Sequence, residues 1–212
     1  MTRAVFLDAL GTLVELEPPW LSLRERVPEE VSEERLEAAL RAEMAYYREH
    51  AHEGRDEASL ADLRERCARI VSDRLGVEVT ADELVEAIRF DPYPDAAPAL
   101  RELGDRGLRL VCVSNWDCSL DSVLERCGLR ELLVGAVSSA VAGARKPDPA
   151  IFAPALELAG VGPERALHVG DTPEEDVEGA RAAGIRPLLL DRDGNGGDIA
   201  SLSEIGEHLT DD

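Results

Sequence analysis

Several things are scarce in this 212-residue chain, and each scarcity excludes something. No apolar run approaches the ~18 residues of a membrane span, so a membrane partner is not expected. The N-terminus runs straight into a strand pattern and leaves no room for a signal peptide, so the expected location is cytoplasmic. Cys67, Cys112, Cys118 and Cys127 show no CxxC spacing, and Cys112 lies in an apolar strand pattern. They read as reduced, mostly packed thiols and not as a disulfide set or metal site. The histidines (His50, His52, His168, His208) show no zinc-ligand spacing either.

Positive charge is the next shortage: 23 Lys+Arg face 44 Asp+Glu, a formal charge of −21. Gripping nucleic-acid phosphates needs a basic stripe, so no nucleic-acid partner is expected. An anionic substrate meets a repulsive surface unless its site carries its own positive charge. Lysine is scarcest of all, because 22 of the 23 basic residues are Arg and the remaining one is Lys146. An ammonium is a compact point charge that fits beside a small anion, whereas guanidinium is a planar fork. The single lysine therefore marks a position of interest.

What is present is ordinary for a globular protein: 44% hydrophobic and 32% charged residues. The length suits one core domain with a smaller insertion. Val5, Phe6 and Leu7 form a short apolar run that ends at Asp8, with Gly11 and Thr12 as turn residues. Such a strand delivers a carboxylate to the carboxyl end of a parallel sheet, where open α/β sheets place their ligand sites. Pro18 and Pro19 mark a departure from the core, and residues 21–90 read as almost wholly helical. Val31, Leu36, Leu40, Met44 and Tyr47 fall near helical spacing, as do Leu60, Leu63, Cys67, Ile70, Val71 and Leu75. Thr80 with Glu83 is a capping box that opens a third helix. From Asp91 onward strands alternate with helices, ending in a helix expected over 174–183, a strand over 187–190 and a short helical tail that ends in acid. The pattern predicts a doubly wound parallel sheet.

Three later stretches accompany the first strand: VCVSN (111–115), RKPDP (145–149) and HVGDTPEED (168–176). Together with FLDALGT they resemble the four ordered motifs of the haloacid dehalogenase-like (HAD) hydrolase superfamily, across residues 4–191 or so. The resemblance implies a Rossmann-like α/β core from residues 1–16 and 91–212, with an all-helical cap inserted at 17–90. It implies Asp8 as nucleophile, and Ser114 and Lys146 on the phosphoryl oxygens with help from Asn115. Thr12 orders the first loop. A Mg²⁺ ion is implied on Asp8, the Leu10 carbonyl and Asp171. Two readings of Asp176 stand, as a metal ligand, direct or through water, and as an acid at the start of a helix. Arg41, Tyr47 and Arg48 are the cap candidates to face the site. Trp116 and Asp117 either line the cleft mouth or cap the next helix.

One position departs from the pattern. The family's phosphatases carry a second Asp two residues after the nucleophile, which protonates the leaving group, and here that position is Leu10. Three activities fit the departure: a Mg²⁺-dependent phosphatase lacking one acid–base group, a 2-haloacid dehalogenase, or a non-catalytic phosphate-binding protein. Dehalogenases of the family share the DALGT pattern, but they lack the Gly-Asp metal arrangement of the fourth motif. A small phosphorylated or halogenated substrate is the expected partner, with the chain a monomer or homodimer.

Overall fold

A computed structural model describes residues 1–209. In chain order its elements are β1 (Ala4–Leu7), β2 (Val14–Leu16), α1 (Pro19–Leu23), α2 (Glu33–His50), α3 (Glu57–Leu75), α4 (Ala81–Ala87), β3 (Phe90–Pro92) and α5 (Ala96–Asp105). There follow β4 (Arg109–Ser114), α6 (Leu120–Arg126), β5 (Gly135–Ser138), α7 (Ser139–Ala142), α8 (Phe152–Ala159), β6 (Ala166–Gly170), α9 (Gly179–Ala182) and β7 (Arg186–Leu189).

Five strands form a parallel sheet in the order β5-β4-β1-β6-β7. All four β1 residues are apolar and fully buried, because both faces of the strand are covered. Val5 and Leu7 pack on one face with α5 and α6, and Ala4 and Phe6 on the other with α8. Register aligns Leu7 with Cys112 on β4 and with Val169 on β6. The residues that follow, Asp8, Ser114 and Gly170, therefore emerge at one end of the sheet. The chain builds outward from β1 to β5, then crosses back to β6 on the other side. That reversal beside β1 is the switch point at which doubly wound sheets open a crevice.

The helices α1–α4 bury an apolar cluster of their own, with Leu23, Leu36, Leu40, Leu63, Val71, Leu75 and Leu84 at its centre. The Thr80–Glu83 capping box forms as the sequence implies. Three local expectations change. Residues 14–16 form more than an exit from the core: β2 pairs antiparallel with β3, Val14 opposite Pro92 and Leu16 opposite Phe90, so departing and returning chain are tied together. The helix expected over 174–183 is a wide π turn at Pro173–Glu178 followed by α9. The tail forms 3₁₀ turns at Leu202–His208, and its acidic end, Asp211 and Asp212, lies outside the described residues. Among the described residues no helix is long and apolar enough to cross a membrane, and all four cysteines are free.

Candidate active site

The Asp8 N–H donates to the Val169 carbonyl (2.9 Å), carrying the sheet pattern one residue past β1. A tight turn follows, in which the Ala9 carbonyl accepts from Leu13 N (2.8 Å) and Val14 N (2.9 Å). Gly11 is required there for two reasons: its φ is +84°, and a Cβ would lie 2.0 Å from Asp171 Oδ2. Asp8 is left buried, facing the crevice.

Lys146 reaches Asp8 from the loop before α8. Its side chain is 1% exposed, and Nζ lies 2.5 Å from Asp8 Oδ1 and 2.5 Å from Asp176 Oδ1. Asn115 fixes the main chain of Lys146 from both sides, accepting from its N–H (2.8 Å) and donating to its carbonyl (3.0 Å). The Asn115 amide also donates to Glu175 Oε2 (2.9 Å). Asn115 lines the cleft beside Ser114, with its side-chain amide taken up by Lys146 and Glu175.

Asp176 is buried in the wide turn, and Gly170 makes room for it: a Cβ on Gly170 would lie 2.1 Å from Asp176 Cγ. Asp176 Oδ1 meets Lys146 and, at 2.9 Å, His168 Nε2, while Oδ2 accepts from Thr172 N–H (3.0 Å). The carboxylate is engaged on both oxygens. It serves first as the counter-ion that orients Lys146, and any metal contact uses its remaining lone pairs.

The charges are strongly coupled. Burial pushes Asp8 up to about 6; Lys146 opposes this, and Asp176 and Asp171 add to it. Burial acts upward on Asp176 as well, but Lys146 and His168 hold its carboxyl far below the usual range. Burial pulls Lys146 down, and Asp8 and Asp176 more than reverse it, so the ammonium stays charged.

Asp8, Asp171 and Asp176 each offer a carboxylate oxygen within 4.8 Å of the others. Against these stands one buried cation, Lys146. The excess of negative charge, all of it on hard oxygen donors, fits Mg²⁺, which favours carboxylates and retained water.

Ser114 ends β4 and lines the cleft, and its hydroxyl makes no hydrogen bond among the described residues. Thr12 does not line the cleft. It is fully buried, its hydroxyl has no hydrogen-bond partner among the described residues, and its carbonyl accepts from Arg192 Nη2 (2.7 Å). Arg41 turns away from the cleft: it is exposed, pairs with Glu37 one helical turn back (2.6 Å), and lies over the Trp20 ring. Tyr47 and Arg48 do line it. The Tyr47 hydroxyl donates to Asp117 Oδ2 (2.7 Å), joining α2 to the loop after β4, and Asp117 Oδ1 accepts from Ser119 N (2.6 Å). Asp117 therefore does both things proposed for it, lining the cleft and holding the start of α6.

Two supports were not visible in the sequence. His168 braces Asp176, and its place inside the fourth motif was the available signal. Arg192 donates to Asp95 through Nη1 and Nη2 (3.1 Å each) and stacks 3.7 Å from the Tyr93 ring centroid while holding Thr12. It lies in a stretch that reads as a plain turn, and nothing in the sequence signals its link to Asp95.

A family model described as haloacid dehalogenase-like hydrolase matches residues 2–184. The chain belongs to the HAD-like hydrolases. This HAD hydrolase is 45% identical over 95 residues to the bovine (Bos taurus) haloacid dehalogenase-like hydrolase domain-containing protein 3, covering 45% of this chain and 38% of that one. It is 39% identical over 145 residues to a phosphoserine phosphatase of Thermus thermophilus, covering 61% and 55% respectively. The matches thus span about half the length, or less, of these relatives. Among solved structures, a dehalogenase in an intermediate complex superposes with TM-score 0.74 at 26% identity, covering 100% of this chain and 98% of that one.

Proposed function

We propose that this HAD hydrolase cleaves small phosphate esters or anhydrides through a covalent phosphoryl intermediate on Asp8. The observation that carries the reading is the convergence of Asp8, Asp171 and Asp176 on one point, with a single buried ammonium among them. Dehalogenation needs no metal, and this excess of carboxylate would repel a haloacid. Relatives named as a phosphoserine phosphatase and a glyceraldehyde 3-phosphate phosphatase agree in class.

Lys146 holds Asp8 Oδ1, which leaves Oδ2 as the attacking oxygen. A bond forms from Asp8 to phosphorus as the bond to the leaving oxygen breaks, and that oxygen takes its proton from water. A water molecule then attacks the same phosphorus, releasing phosphate and regenerating the carboxylate. Ser114 donates its hydroxyl to a phosphoryl oxygen, and Lys146 keeps local charge balanced through both steps. Mg²⁺, which Asp8, the Leu10 carbonyl and Asp171 would hold, with Asp176 direct or through water, would neutralise the phosphoryl group when bound. The helical segment, roughly 17–90, acts as the cap that closes over the cleft, and the protein works in the cytoplasm.

A second reading, a 2-haloacid dehalogenase, draws on Leu10, because halide departs without a proton, and on the dehalogenase structural neighbour. Hydrolysis of p-nitrophenyl phosphate and of 2-chloropropionate separates the two. Mg²⁺-dependent nitrophenolate release, abolished by EDTA, is expected, with the chloroacid inert. Metal-independent chloride release would overturn the proposal in favour of the second reading.

A further inference from the structure

The cleft beside Asp8 has a volume of about 460 Å³, within the range of pockets that enclose a small organic molecule. Such a space is far larger than a phosphoryl group needs. Its wall is unusual for a chain of charge −21. Leu10, Leu16, Met44, Val85, Ile88 and Phe90 all line it, and the fold leaves each of them partly exposed. They come from the first-motif loop, β2, α2, the end of α4 and β3, so the apolar surface is assembled from both the sheet side and the helical side. Leu10 and Phe90 pack on the edge of the core cluster and Ile88 on that of the helical segment, so the wall continues both clusters into the cleft.

The one deeply buried acid of the helical segment, Glu43, also lines this cleft at 3% exposure and makes no ion pair among the described residues. Burial pushes its carboxyl upward, and the neighbouring Cys67 thiol opposes this in part. A carboxyl kept toward its neutral form is a sign of apolar surroundings. The charged groups of the cleft are placed otherwise. Asp8 and Asp171 are at the reaction centre, Asp117 is buried against the Tyr47 hydroxyl, Arg145 pairs with Glu175, and Arg48, Arg64 and Arg126 reach solvent, where they draw in an anion.

We infer that the substrates are phosphate monoesters of alcohols with an apolar aliphatic or aromatic body, which packs on the wall formed by Leu10, Leu16, Met44, Val85, Ile88 and Phe90. This rests on the phosphohydrolase reading and narrows it. The leucine at position 10 then has a positive role. It gives the leaving group an apolar surface directly beside Asp8, at the position where the acid–base residue is missing. Small polar esters leave this wall against water and bind poorly.

Non-hydrolysable phosphonates test the inference without requiring turnover. Calorimetric titration with methyl-, butyl- and hexylphosphonate in the presence of Mg²⁺ should show Kd falling about two- to fourfold for each added methylene, as expected for methylenes leaving water. Val85→Thr, which keeps the branched shape but puts a hydroxyl into the apolar wall at a partly exposed site, should weaken hexylphosphonate severalfold more than methylphosphonate. A Kd that is flat or rises with chain length, or absence of binding by every member, overturns the inference. Turnover of p-nitrophenyl phosphate by the same preparation separates the two readings. Turnover with a flat series sinks the apolar-substrate inference alone, whereas a steep series without turnover leaves the wall as an apolar binding surface but sinks the phosphohydrolase reading and, with it, the assignment of phosphate monoesters as substrates.

Discussion

Replacing Lys146 with methionine keeps the length of the side chain and removes its charge. In the folded protein Asp8 and Asp176 then share a buried site with no ammonium between them. Asp176 still receives His168 and the Thr172 N–H, so the loss falls chiefly on Asp8, whose side chain hydrogen-bonds to Lys146 alone among the described residues. Removing one partner of a buried pair costs about 3–5 kcal/mol, and the 1% exposure of Lys146 leaves no path for water to stand in. Equilibrium urea unfolding at pH 7.5 without divalent metal should therefore show a loss of about 4 kcal/mol. Mg²⁺ at a hundredfold excess over its Kd should stabilise the variant by about 2.7 kcal/mol. The pH dependence has a definite sign. Asp8, already raised above its unfolded value to about 6 with Lys146 present, moves higher still without it. Both folded proteins then bind this proton more tightly than their unfolded chains, but the variant starts to gain stability at a higher pH, so its gap to the wild type narrows as pH falls from 7.5 toward about 6. A loss below about 1 kcal/mol at pH 7.5, or a gap that widens in acid, would refute Lys146 as the counter-ion of Asp8.

Arg192→Met removes the bonds to Asp95 and to the Thr12 carbonyl; about 2–3 kcal/mol of stability should go, with faster amide exchange at Leu13 and Val14. Unchanged exchange there would show that Arg192 does not hold the first-motif loop. Gly170→Ala puts a methyl where Asp176 Cγ lies 2.1 Å away, and Asp176 is pinned on both oxygens. Urea unfolding should register a loss of 1–3 kcal/mol or more, accompanied by a loss of turnover, and a neutral result would mean that Asp176 is free to move. Leu10→Asp restores an acid–base group worth about 10²–10⁴ in rate, so kcat toward methyl phosphate should rise, and no rise in a folded variant would count against the missing-acid account.

The sheet was legible because its central strands are continuous apolar runs, such as AVFL in β1 and LVCV in β4, each ending in a polar residue that emerges at one edge. Lys146 was legible for a statistical reason, being the one lysine in an arginine-using chain. The β2–β3 pairing was not, since it joins short segments some seventy residues apart, one running into two prolines. The wide turn at 173–178 has helical spacing, and what widens it is a tertiary demand: Asp176 must reach Lys146 and His168 while its own oxygen caps Thr172. Arg41 shows the reverse failure. It sits on a helix with a cleft-lining face, but its neighbours Glu37 and Trp20 place its charge on another side. Thr12 stands in the first motif, yet its carbonyl, not its hydroxyl, is the group that the fold uses.

The most direct test of the central claim is to mix the enzyme with p-nitrophenyl phosphate and Mg²⁺, quench in acid within a turnover, and weigh the peptide that contains Asp8. The account predicts a phosphoryl group on that peptide, absent from Asp8→Asn, whose turnover is lost. Full turnover with no adduct on Asp8, or turnover that survives Asp8→Asn, would contradict it.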